Sequence, residues 1–153
     1  MCNGIKEQNE KVKAWLWRYR DAKRECKRLE GEYRELVASQ ESAKAIEYSG
    51  MPQAHNAGTD LSDLMERRSE YLTKIIKSHK RMEMLMFEIS GVFDQLPDQT
   101  ARDIMSLRYL QLDGCKALAW GDISQRVGYT EEHICRLHGE ALRIISEKVK
   151  LIN

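Results

Sequence analysis

Two prolines, two phenylalanines and nine glycines in 153 residues supply too few turns and too little β-prone sequence for an all-β sandwich. No apolar run approaches the ~18 residues that a membrane span needs. The first ten residues hold no apolar core of the signal-peptide kind, so a cytoplasmic location is expected. Neither sign of charge dominates, with 25 Lys+Arg against 24 Asp+Glu. Bulk electrostatics therefore cannot hold this chain to nucleic acid. The four cysteines, Cys2, Cys26, Cys115 and Cys135, are dispersed and never two residues apart. That spacing argues against a zinc ribbon or a dithiol redox site, and reduced thiols are expected. There is no phosphate-binding loop, no glycine-rich turn after a strand and no local Ser–His–Asp grouping. The chain reads as a non-enzyme with no catalytic residue, no metal and no cofactor.

What the sequence has is helical periodicity. Residues 8–46 contain no proline and one glycine, Gly31. Val12, Trp15, Tyr19, Ala22, Cys26, Leu29, Tyr33 and Leu36 recur in steps of three and four, a heptad seam along one long helix. Residues 47–60 interrupt it with Ser49-Gly50-Met51-Pro52 and Asn56-Ala57-Gly58-Thr59, which is loop chemistry. Thr59 or Asp60 is the expected cap of the next helix. A second seam follows over 61–95: Leu61, Met65, Arg68, Leu72, Ile75, His79, Met82, Met86, Ile89, Phe93 and Leu96. Two such helices are expected to fold back as a long antiparallel hairpin, with Arg68 and His79 marking register or reaching water.

Pro97 ends the second arm, and Asp98 fits an N-cap. A third helix is expected over about 98–110, a loop over Gln111–Lys116, a fourth helix over Leu118–Val127 and a fifth from Thr130 to about Lys150. The fold class is thus all-α: a coiled-coil-like hairpin (1–95, loop at 47–60), then a small three-helix module (96–153).

The stretch from Ile123 to Leu142 is the most specific. Ile123 and Val127 give one short helix an apolar face. Gly128 can take the positive φ that ends it. Tyr129 packs the turn, Thr130 caps the next helix, and Glu131 and Glu132 favour its dipole. Ile134, Leu137, Ala141 and Leu142 face inward. Two short helices, a tight turn and matched apolar faces describe a helix-turn-helix, whose second helix enters the DNA major groove by its N-terminal turns.

Leu96-Pro97-Asp98, Leu107-Arg108-Tyr109, Trp120-Gly121-Asp122-Ile123, Val127-Gly128-Tyr129-Thr130 and Leu137-His138-Gly139-Glu140-Ala141-Leu142 together resemble the region-4 module of sigma-70 factors. More closely, they are similar to the small sigma-region-4-like proteins of phages and prophages, the ArpU-type late transcription regulators among them. The resemblance covers about residues 96–150. It implies a DNA-binding transcription regulator that meets promoter-type double-stranded DNA and bacterial RNA polymerase.

Residue by residue, the inward positions leave Glu131, Glu132, Cys135, Arg136 and Gly139 on or near the outer face. Glu131 and Glu132 either accept hydrogen bonds from cytosine amino groups or only start the helix. Arg136 could donate to guanine or phosphate, while Thr130 and His133 could touch the backbone. Arg126, Arg143, Lys148 and Lys150 are either phosphate contacts or solvated surface. Residues 96–153 hold eight Lys+Arg and eight Asp+Glu, so nonspecific affinity should be weak. Cys135 and His138, three apart, could form half of a metal site, but no second pair is near.

Residues 1–46 are more basic, with eleven Lys+Arg and eight Asp+Glu. Trp15 and Trp17 cannot share a helix face. With Arg18 and Arg20 they form an expected partner interface, at least one tryptophan being buried by a partner. A homodimer through the long helices is expected, and no membrane contact. Two rival readings stay open: a subunit of the small-terminase kind used in phage DNA packaging, and a helical adaptor that binds no DNA.

Overall fold

The computed structural model describes residues 2–47 and 57–149. It is built from helices: α1 (Cys2–Leu16), α2 (Arg18–Glu47), α3 (Ala57–Phe93), α4 (Gln99–Tyr109), α5 (Trp120–Val127) and α6 (Glu131–Val149). Among the described residues no strand forms, and one isolated bridge joins Asp113 to Lys116 around Gly114, whose φ is +64°. All-helical architecture is therefore as expected.

Local chemistry sets the boundaries. The break between α1 and α2 is Trp17 alone, and the helical ladder continues across it. Trp17 N donates to Lys13 O at 2.9 Å, and Asp21 N donates to Trp17 O at 3.0 Å. Asp98 is the extended N-cap of α4, its carboxylate accepting from Thr100 N at 3.2 Å. Gly128 ends α5 with φ +80° and ψ 22°. Three boundaries differ from expectation. The first helix begins at Cys2 rather than residue 8. The helix α3 already includes Ala57, so Thr59 and Asp60 stand inside it rather than capping it. The helix α5 starts at Trp120, two residues after Leu118. Of the expected loop 47–60, residues 48–56 lie outside the described residues.

Two compact units partition the chain: residues 1–23 with 82–153, and residues 24–81. This is a different division from one at 95/96, because the end of α1 and the start of α2 share a core with the C-terminal helices. In the larger unit Val12, Leu16, Tyr19, Ile89, Val92, Phe93, Leu96, Ala101, Met105, Tyr109, Ala141, Leu142 and Ile145 form one buried cluster. Ile104, Ile123 and Ile134 form a second, flanked by Leu107, Leu118, Trp120, Val127 and Leu137. Helix α6 packs against α1, α4 and α5.

In the smaller unit three polar contacts link α2 to α3. Cys26 Sγ meets Ser78 Oγ at 2.9 Å, Glu30 Oε1 meets His79 Nε2 at 2.7 Å, and Arg68 Nε donates to Gln40 Oε1. Arg68 and His79, polar positions in an otherwise apolar seam, thus each find a partner on α2. The seams themselves need two corrections. Leu16 is fully buried and Trp15 only half-buried, the reverse of the expected assignment. On α3, Leu85 is buried where Met86 was expected, and Leu61, Met65 and Leu72 are exposed.

Candidate nucleic-acid interface

The segment from Ile123 to Leu142 is built by two opposed requirements. Ile123 on α5 and Ile134 on α6 must leave water together, which brings the two helices into contact with Ile104 of α4. The chain must then reverse in three residues. Gly128 supplies the left-handed conformation, at a cost of ~1–2 kcal/mol to any residue with a Cβ. Its N–H still donates to Ser124 O at 2.9 Å, and Ser124 Oγ donates to Tyr129 O. Thr130 starts α6: Oγ1 accepts from His133 N at 3.3 Å, and its carbonyl accepts from Ile134 N at 3.0 Å.

The two halves of α6 meet different neighbours. Ile134 belongs to the small cluster with α4 and α5, while Ala141, Leu142 and Ile145 belong to the large cluster with residues of α1 and the end of α3. The first turns are left uncovered: Thr130, Glu131, Glu132, Cys135 and Arg136 are all exposed, and His133 is half-buried. Arg126 on α5 and Arg143 on α6 are exposed too.

Within this open end the side chains are organised. Arg136 Nη2 lies 3.0 Å from His133 Nδ1. The His133 ring in turn sits 4.9 Å from the Tyr129 ring. Tyr129 is 48% exposed, so it lies on the surface of the turn beside His133 rather than packing the turn. Glu131 is turned back: a Cβ on Gly121 would stand 3.3 Å from Glu131 Oε1. Helix α5 has no side-chain cap, since Ala119 occupies the N-cap position. A carboxylate beside its first turn complements the positive end of its dipole. Glu132, Cys135 and Arg136 stand exposed on α6.

His138 is not part of this surface. It is 8% exposed, with Nε2 2.9 Å from Tyr109 Oη, its ring stacked on Tyr109 and edge-on to Trp120 at 4.9 Å. Burial, aided by the positive charges of Lys13 and Arg108, pushes its pKa down to about 4. Burial likewise pushes the Tyr109 hydroxyl up. Cys135 and His138 therefore face different surroundings, and among the described residues no group of three or more His, Cys, Asp and Glu could hold a metal ion.

The tryptophan pair is largely satisfied within the chain. Trp17 lies 4.5 Å from the Tyr109 ring. Arg20 stacks on Trp17 at 4.4 Å, and Arg108 reaches both Trp17 at 5.7 Å and Trp120 at 4.5 Å. Arg108 also donates to Leu118 O, which pins the segment leading into α5. Arg18 stacks on Trp15 at 4.6 Å and pairs with Glu88 at 3.2 Å. The covering of Trp17 thus comes from α4 of the same chain, where a partner was expected. Sequence reasoning missed Tyr109, Arg108 and His138 as the group that fixes α6, because their partnership joins residues up to 29 positions apart.

No protein family, curated protein or solved structure matches this chain. No helix among the described residues is long and apolar enough to cross a membrane.

Proposed function

We propose that this chain is a DNA-binding transcription regulator of the phage or prophage kind, with α5 and α6 acting as a helix-turn-helix beside a helical hairpin. The observation that carries the reading is the uncovered N-terminal end of α6, where Thr130, Glu132, Cys135 and Arg136 stand outward on a helix anchored by its other face. A helix presented in this way can lay its first turns in the major groove. Arg136 is the candidate reader of guanine, Glu132 of the cytosine amino group, and Arg126 and Arg143 the phosphate contacts. In this reading the α2–α3 arms serve self-association or contact with RNA polymerase.

Selection of bound sequences from random duplex DNA at a fixed salt concentration tests it. A recovered consensus whose strength falls in Arg136→Ala, with folding intact, supports the regulator. Binding with no sequence preference and rings of many subunits in solution would favour the packaging subunit. No DNA binding at low salt would leave the adaptor. The near-neutral charge of residues 96–153 is the feature that favours that second reading.

A further inference from the structure

We infer that Leu61, Met65, Leu72 and Ile76 form the seat of a second copy of this chain, the two α3 helices packing antiparallel about a two-fold axis between Arg68 and Ser69. These four apolar side chains are 55%, 64%, 43% and 57% exposed. They do not share the face that meets α2. That face carries Leu64, Arg68, Tyr71, Ile75 and Ser78, all half-buried, and lies about a quarter of a turn away at 3.6 residues per turn. Among the described residues, only the face toward α2 is covered, and the four apolar side chains of the other stripe are exposed.

The pattern of the unused stripe identifies its occupant. The steps from Leu61 to Met65 to Leu72 to Ile76 are four, seven and four residues, the same in either direction. A two-fold axis between Arg68 and Ser69 places Leu61 against Ile76 of the other copy and Met65 against its Leu72. Each contact occurs twice, as a self-complementary patch requires. Ser62, Ser69 and Thr73 border the stripe on one side, and on the other stands Arg68, which donates to Gln40 Oε1 of α2. On the Ser69 side the small side chain permits close approach, while Arg68 is turned to its own chain. The Thr73 hydroxyl already donates to Ser69 O at 2.9 Å, so burying it strands no donor. The exposed area of the four side chains is on the order of 400 Å² per copy, against about 800 Å² in a standard interface. This size fits a dimer that dissociates on dilution. The inference does not depend on DNA binding.

Sedimentation velocity of the full chain across a concentration series tests it. A monomer–dimer equilibrium is expected, with its Kd raised at least about tenfold in Met65→Glu. Glu70→Lys, half a turn from the stripe, should leave it unchanged. Register is read by mixing Leu61→Cys chains with Ile76→Cys chains under oxidation and mapping the joined peptides. A 61–76 disulfide is expected in the mixture, with neither variant joining to itself at the new cysteine. A monomer at all concentrations, a Met65→Glu dimer of unaltered strength, a ring, or a 61–61 disulfide would each overturn the inference.

Discussion

A histidine that loses its water becomes a weak base, and His138 is held in that condition by Tyr109, Trp120 and the cations of Lys13 and Arg108. Its pKa falls from 6.5 to about 4 on folding. The unfolded chain therefore binds more protons than the folded one between those values, so stability is full above pH 6.5 and declines as pH falls toward 4. At 1.36 kcal/mol per unit the decline reaches about 3 kcal/mol. Carboxylates also lose stability in acid, so the comparison must be with His138→Gln. The stability difference between the two proteins, from urea titrations at pH 7.5 and pH 4.5, should shift by up to that amount. A constant difference would mean that the ring is not buried as a neutral base. Tyr109→Phe should cost about 1–3 kcal/mol at neutral pH, because it leaves a buried ring nitrogen without its partner.

At the scale of elements, the turn between α5 and α6 depends on glycine's freedom to take a positive φ. Gly128→Ala should lower stability by about 1–2 kcal/mol, since φ +80° is retained and a Cβ is added. Thr130→Ala should cost about 1 kcal/mol by releasing the cap on His133 N. Chemical denaturation reads both, and neither substitution removes a core contact. These features were legible in the sequence because glycine after a short apolar helix and threonine before paired glutamates have local causes. Pro97 and Asp98 were legible for the same reason. Two of the misplaced seam positions, Trp15 and Met86, fall in the contiguous apolar runs Trp15-Leu16-Trp17 and Met84-Leu85-Met86-Phe87. Periodicity alone cannot say which member of such a run turns inward. Leu16 and Leu85 are chosen by tertiary packing. The Tyr109–His138 contact and the stacking of Arg108 between two tryptophans lie beyond any local pattern.

For the molecule as a whole, the charge balance makes a quantitative demand on DNA binding. In the proposed reading, Arg126 of α5 and Arg136 and Arg143 of α6, all exposed, would meet the duplex. Arg143 also pairs with Glu147 at 3.4 Å, but both groups are exposed and such a pair is easily exchanged for phosphate. Three neutralised phosphates give a slope of log K against log salt of about −3 for one copy, and two copies on one duplex give about −5. Fluorescence anisotropy of a labelled duplex over a series of KCl concentrations measures it. A slope in that range means that α6 and its immediate neighbours carry the contact. A slope steeper than about −8 would require further cations. The basic N-terminal stretch is their only plentiful source, with eleven Lys+Arg among residues 1–46. Arg18 and Arg20 are held by Trp15, Glu88 and Trp17, and Arg28 by Glu25 and Glu32, so the exposed Lys27 on α2 is the first residue to test. Replacing Lys27 by glutamine would then flatten the slope by about one unit, whereas the smaller slope predicts that the same substitution leaves it untouched.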